Sequence, residues 1–337
     1  MNKIIRSICY FTNSPSSETL SKINSVAKTL EANNFVIQTK RICASGKGIK
    51  ELDKIFYAPA LYLSVGTLDL KTAQTELPDF FSAANVAFNV EIKDTSETPE
   101  HVSLLLNIIR HNPSKTFNFT YVFNNQLSSP YFPSASYEKD GFSIGLQPTD
   151  LSEGCKTLEE WLEKMKTVWQ EIAELFKNNK DFLGIDSSIT PLFTKEGSLI
   201  NFIKSLGMDF NQSVTTNIYL KITNFIKTQN PKSVGLCGLM LPCLEDFELA
   251  DEYEQGNFSI ERNLFLSLHS GLGIDTYPIG IDEKSEKVLE VLNLVKGLSD
   301  KYQKPLSVRF VSDGKAKIGE KTNFQNQFLK DVVVRKI

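Results

Sequence analysis

Residues 86–92 read Val-Ala-Phe-Asn-Val-Glu-Ile, an apolar run that only Asn89 and Glu91 interrupt. Residues 60–65, Ala-Leu-Tyr-Leu-Ser-Val, end at Gly66 and have the same character. A strand with one wet face alternates polar and apolar residues, whereas a strand covered on both faces is apolar almost throughout. These two stretches therefore predict strands inside a sheet with helices packed on it. In such a strand, Asn89 and Glu91 would belong to a polar interior.

The same pattern continues on both sides. Further strands are expected at 4–10, 35–44, 117–123, 141–146, 182–186, 233–241, 274–279 and 306–311, which makes about ten in all. Helical spacing of apolar residues predicts helices at 17–33, opened by Ser16 or Ser17, and at 98–111, 196–206, 212–227, 244–253, 259–269 and 283–299. The clearest helix is 157–177, where Leu158, Trp161, Leu162, Met165, Val168, Trp169, Ile172 and Phe176 form one stripe. Both tryptophans read as core. The tail 332–334 is β-branched and reads as an edge strand.

Strands that mostly alternate with helices favour an α/β fold with a mainly parallel sheet. Pattern alone leaves open whether that sheet is an open doubly wound one or a closed barrel. No fixed-period repeat and no low-complexity linker divides residues 1–337, so a single domain is expected. Residues 124–140 are rich in turn formers and make the longest loop. A lid is one reading of such a length, and a plain surface loop is the simpler one.

Composition narrows the function classes. The chain has 337 residues with 37 basic and 40 acidic side chains mixed along it. No basic block stands out, which argues against a nucleic-acid partner. The amino terminus, Met-Asn-Lys-Ile-Ile-Arg-Ser-Ile-Cys-Tyr, has no apolar leader, and no apolar run approaches a membrane span. The cysteines Cys9, Cys43, Cys155, Cys237 and Cys243 are odd in number and widely spaced, so reduced buried thiols are expected. A cytoplasmic protein fits these features.

In parallel α/β folds, ligands gather where strands end and helix N-termini begin. Four such places carry polar residues. After 182–186 stand Asp186, Ser187 and Ser188: the carboxylate is a candidate for proton transfer, Ser187 for substrate contact, and a turn cap is the plain alternative. After 233–241 stand Cys243, Glu245 and Asp246. Glu245 is a candidate acid or base and Asp246 a candidate ligand for a divalent metal ion, although acids at a helix start are explained by its dipole alone. Cys243 could be an activated thiol or an inert buried one. The third place is His269-Ser-Gly-Leu-Gly273-Ile-Asp275, with His269 and Gly273 as substrate contacts and Asp275 as a catalytic carboxylate. The fourth is Arg309 within a β-run, catalytic or bound in a salt bridge to Asp186 or Asp275, followed by Lys315 in a turn as a substrate contact. His101 and His111 have no assigned role.

Several of these segments resemble a known family. Leu239-Met-Leu-Pro-Cys-Leu-Glu-Asp246 and Gly273-Ile-Asp-Thr-Tyr-Pro-Ile279 resemble two signature stretches of the domain of unknown function 711 family, also called uncharacterised protein family 0210. Leu249-Ala250 and Gly256–Ile260 keep its spacing, and Val308-Arg309-Phe310, Gly314–Glu320 and Phe324 fit a third stretch. The likeness runs over 233–324 and is thinner at 184–191 and 5–8. It implies a ten-stranded α/β barrel like that of the pyruvate formate-lyase glycyl radical enzymes. It does not imply their chemistry, because the vicinal cysteine pair and the Arg-Val-x-Gly-Tyr loop are missing. Gln325-Asn326 also replace a glycine pair usual in the family. No activity comes with the resemblance.

Two functions follow from the residues. One is a small-molecule enzyme, without a glycyl radical, whose strand-end carboxylates do acid–base or metal-assisted work on an anionic metabolite. The other is a metabolite-binding or regulatory protein without catalysis. A small-molecule partner is common to both, and a homo-oligomer is compatible with either.

Overall fold

The computed structural model describes residues 3–56 and 61–337. Met1 and Asn2, and Ala60 at the start of the strand expected over 60–65, lie outside the described residues. The strands are β1 (Lys3–Thr12), β2 (Phe35–Ile37), β3 (Lys40–Ala44), β4 (Leu61–Leu68), β5 (Val86–Glu91), β6 (Phe119–Phe123), β7 (Gly141–Leu146), β8 (Phe182–Asp186), β9 (Gly273–Pro278) and β10 (Leu306–Val311). They form one ten-stranded, mostly parallel sheet in the order β8-β7-β1-β3-β4-β5-β6-β10-β9, with β2 paired to β1.

Two pairings are antiparallel, β1 with β7 and β6 with β10. They divide the sheet into two parallel sets that run in opposite directions. At the outer strands, isolated bridges join Ile185 to Ser233, Ile189 to Leu239, Leu239 to Gly271 and Pro242 to Asp275. Residues 233–241, expected as a regular strand, thus pair only at single points. Gly235 at φ 73° and Cys237 at φ 43° explain the difference, since left-handed residues break the pleat.

Helices α1 (Ser17–Glu31), α2 (Ile49–Ile55), α3 (Leu70–Ser82), α4 (Thr98–His111), α5 (Leu158–Leu175), α6 (Leu199–Ser205), α7 (Phe210–Val214), α8 (Ile218–Gln229), α9 (Phe247–Glu254), α10 (Ile260–His269) and α11 (Ser285–Tyr302) accompany the strands. Ser16 is the N-cap of α1. Trp161 and Trp169 of α5 are fully buried, as the apolar stripe predicts. Helices α2 and α3 have no counterpart in the pattern reading, and α3 carries Pro78 inside it. The region expected as one helix over 212–227 is split into α7 and α8. The tail makes one isolated bridge, Lys321 to Val333, and no edge strand. Among the described residues, no helix is long and apolar enough to cross a membrane.

Residues 124–140 are exposed at both ends of the loop, but its middle is buried. Ser128, Ser129, Tyr131, Ser134, Ala135 and Ser136 are buried. Buried irregular backbone needs partners for its polar groups, and the strands supply them. Ser7 Oγ donates to Pro130 O at 2.8 Å, and Asn89 Nδ2 donates to Pro133 O at 2.9 Å and Ala135 O at 3.0 Å. Thr67 Oγ1 lies 2.7 Å from Ser136 Oγ. Tyr131 Oη donates to Leu146 O at 3.0 Å, and a Cβ on Gly145 would stand 2.5 Å from that hydroxyl. The loop is thus a plug fixed from several strands, and Asn89 is one of its anchors.

Candidate functional site

The tip of the plug, Tyr131 to Ser134, forms part of the wall of a cavity of about 330 Å³. The rest of the wall comes from opposite regions of the sheet. Arg6 of β1, Arg41 of β3, Tyr62 of β4 and Thr120 of β6 line it, as do Asp275 of β9 and Arg309 of β10. Glu245 enters from the turn before α9.

The centre is an ion network. Arg309 Nε lies 2.6 Å from Asp275 Oδ1, and Arg309 Nη2 lies 2.5 Å from Glu245 Oε1. The other Glu245 oxygen is 3.2 Å from Arg6 Nη2. Burial acts to lower the Arg309 pKa, but Asp275 and Glu245 together overcome it and hold the guanidinium above its ordinary value. For Arg6, burial outweighs Glu245 and the pKa is lowered. Among the described residues, Asp275 Oδ2 has no hydrogen-bond partner. Gly273 also lines the cavity. Its φ is 105°, and a Cβ there would stand 2.1 Å from Ser307 O, so no side chain fits.

Arg41 differs from the other two arginines. It is 8% exposed, yet its partners are Thr39 Oγ1 at 3.0 Å and Pro130 O at 3.4 Å, with no carboxylate in ion-pair range among the described residues. Its guanidinium lies over the rings of Phe132 and Tyr62, 5.2 Å and 5.9 Å from their centroids. Burial, with Arg6 adding to it, lowers its pKa to about 10. A buried guanidinium without an acid is costly to keep. Lys115, another lining residue, is also buried; its ammonium donates to the carbonyl oxygens of Ala83 and Ala84 at the end of α3 and lies 5.4 Å from the Phe80 ring centroid.

The fold thus brings together Glu245, Asp275, Arg309 and Gly273, and leaves the other sequence-selected residues outside the cavity. Asp186 is fully buried and accepts from Ser129 Oγ (2.7 Å), Ser188 N (3.0 Å), Ser188 Oγ (2.6 Å), Leu236 N (2.9 Å) and Cys237 N (3.0 Å). It joins the plug, the end of β8 and the 233–241 segment. Ser187 Oγ donates to Ile226 O at 2.9 Å. Asp246 caps α9 and accepts from Leu249 N at 3.3 Å and Leu199 N at 3.0 Å, and burial pushes its pKa up to about 7. Each Asp246 oxygen thus accepts from one backbone N–H group, as a helix cap does. Among the described residues, no group of three or more His, Cys, Asp and Glu could hold a metal ion.

His269 lies at the end of α10, bonded to Ser270 Oγ at 2.7 Å, and Lys315 sits exposed in the turn after β10. Cys243 is fully buried and burial pushes its thiol well up, so the activated-thiol expectation fails. The sequence reading missed Arg6, Arg41 and Lys115. A basic residue next to an apolar strand, the rule applied to Arg309, would have flagged Arg6 and Arg41. A second cavity of about 520 Å³, bordered by Asn125, Glu138, Lys227, Ser233 and Cys237, holds none of the selected residues.

A family model described as Uncharacterised ACR (DUF711) matches residues 69–326. No curated protein matches the chain. Among solved structures, an anaerobic ribonucleotide reductase is similar at a TM-score of 0.30 and 9% identity, over 92% of this chain and 70% of that one. The anaerobic ribonucleotide reductase from Thermotoga maritima with citrate in the active site gives 0.31 and 8% identity, over 92% and 79%.

Proposed function

The chain belongs to the DUF711 family, and from its cavity we propose that it binds a small organic anion and performs acid–base chemistry on it. The observation that carries this reading is Arg41, a buried guanidinium on the cavity wall with no acidic partner among the described residues. A ligand carboxylate or phosphate would complete its bonds and offset the cost of burying it.

Asp275 is the proposed base. Arg309 holds Oδ1, while Oδ2 has no hydrogen-bond partner among the described residues, and Asp275 lines the cavity. Arg309 would also stabilise negative charge that develops on the bound anion. Glu245, clamped between Arg6 and Arg309, is a positioning residue in this scheme. The chemistry needs neither a glycyl radical nor a metal ion. The competing reading is binding without catalysis, favoured by the fact that both cavity carboxylates are already in ion pairs.

We also infer that the sheet closes into a barrel as one α/β domain. The single-point bridges from β8 through 233–242 to β9 support closure, and so does a cavity lined from both sheet halves. One apolar cluster extending from Ile5 to Ile337 supports a single domain.

The test is calorimetric titration of the full chain with small carboxylates and with phosphate, followed by a screen for turnover of whichever class binds. Asp275→Asn should keep anion binding and lose turnover. Binding of none of these anions by the wild type would overturn the reading, and binding without turnover would leave the non-catalytic one.

A further inference from the structure

The charges and the walls of the cavity narrow the class of anion, an inference that rests on the anion-binding reading. Arg6 and Arg309 are matched by Glu245 and Asp275. Lys115 is served in another way. Its ammonium meets the Ala83 and Ala84 carbonyls where α3 ends and lies over the Phe80 ring. Carbonyls at a helix C-terminus carry partial negative charge and stabilise a cation there.

Arg41 alone, among the described residues of the wall, has a charge with neither a carboxylate nor a helix end beside it. Its Nε and Nη1 donate to neutral oxygens, Thr39 Oγ1 and Pro130 O, and its Nη2 has no hydrogen-bond partner among the described residues. One positive charge is thus left over, and one negative charge balances it. A second anionic group would be buried near Glu245 and Asp275 with no free cation to receive it, which is costly.

The walls bear on the rest of the ligand. Arg41 lies over the rings of Phe132 and Tyr62, so a group bound to it meets aromatic surface. Phe117 and Phe328 line the same cavity and stack on one another, 6.1 Å between centroids, and Met240 adds aliphatic surface. We propose that the ligand is a monocarboxylate with an apolar body, its carboxylate on Arg41 and its aryl or alkyl remainder against these rings. Mostly apolar walls with one charged group to fix orientation suit such a molecule.

The experiment is calorimetric titration of the full chain with acetate, butyrate, hexanoate and phenylacetate. Adipate serves as the doubly charged counterpart of hexanoate, hexanamide as its neutral one, and inorganic phosphate as a compact anion. Affinity should rise about threefold or more per methylene from acetate to hexanoate, as burial of each added group predicts. Hexanoate should bind about tenfold or more tighter than adipate, hexanamide or phosphate. Phenylacetate against hexanoate tells an aryl body from an alkyl one, and either supports the proposal if it far exceeds acetate. Arg41→Met should abolish the preference for hexanoate over hexanamide while leaving hexanamide affinity within about threefold. If that variant does not fold, Arg41→Gln replaces it. A flat series from acetate to hexanoate and phenylacetate would overturn the apolar-body proposal and leave the anion reading intact. Adipate or phosphate binding as tightly as hexanoate would overturn it equally. Binding of none of the anions would remove both readings.

Discussion

Arg309 Nη2 lies 2.5 Å from Glu245 Oε1, with both side chains 7% exposed, and the same guanidinium holds Asp275 through Nε. Removing it would leave two carboxylates buried with only Arg6 between them. Arg309→Met should therefore cost about 3–5 kcal/mol in denaturant unfolding. Arg309→Lys should recover little, because an ammonium lacks the planar fork that serves both acids. A loss below about 1 kcal/mol, the range of a surface pair, would show that the network is solvated rather than buried.

Arg41 should behave in the opposite way. It has no carboxylate in ion-pair range among the described residues, so Arg41→Met removes a buried charge and the hydrogen bonds to Thr39 Oγ1 and Pro130 O. The variant should be as stable as the wild type or more so, by about 1 kcal/mol, while its affinity for carboxylates falls by about 10- to 100-fold. Thermal melts with and without hexanoate measure both quantities. A variant that melts lower and binds unchanged would make Arg41 structural.

Asp186 joins three chain segments through five accepted hydrogen bonds. Asp186→Asn turns part of that acceptor into a donor facing backbone N–H groups, at a cost of about 3 kcal/mol. Anion affinity of the folded fraction should stay near the wild-type value, because Asp186 is not on the cavity wall. Loss of affinity at unchanged stability would restore Asp186 to the site.

His101 supplies a pH dependence. It is buried beside Tyr121, neither ring nitrogen has a hydrogen-bond partner among the described residues, and burial lowers its pKa to about 4. The folded value lies below the unfolded value of about 6.5, so the unfolded state takes the proton first. The His101 contribution is therefore full above pH 6.5 and is lost as pH falls from 6.5 towards 4. Over that window it amounts to about 3 kcal/mol. His101→Phe should lose less stability than the wild type between pH 7 and 4. Equal losses would mean that the imidazole is solvated.

Gln325 adopts φ 50°, a left-handed conformation that costs a residue with a Cβ about 1 kcal/mol. Gln325→Gly should stabilise the folded state, less the larger unfolded-state entropy of glycine. The net effect expected is a gain of a few tenths of a kcal/mol or more, readable as a higher denaturation midpoint. A fall in the midpoint would show that the Gln325 side chain makes a contact that outweighs its backbone cost.

Periodicity carried much of the architecture. The 86–92 run forms a covered strand, and the stripe from Leu158 to Ile172 forms a buried helix face, because in both the burial pattern is written in local spacing. Residues 233–241 have the same apolar look but bend at Gly235 and Cys237, whose backbone is set by what they reach: both sides of the segment and the Asp186 carboxylate. The loop over 124–140 reads as exposed because its residues form turns. Nothing local reveals that Ser7, Thr67 and Asn89 wait inside the sheet to bond it.

The site divides along the same line. Glu245 follows a predicted strand of the second half and Asp275 and Arg309 lie within two others, so local pattern points to all three. Arg41 lies at the beginning of β3, where the rule for parallel sheets places no ligand. Two antiparallel pairings, β1 with β7 and β6 with β10, bring the beginnings of β3 to β6 beside the ends of the other set. The covered runs and amphipathic stripes thus determined an α/β protein with a mostly parallel sheet, since local periodicity encodes which faces are buried. Only the tertiary structure decided which charges meet, because that depends on how the two opposed sets are joined across the whole chain.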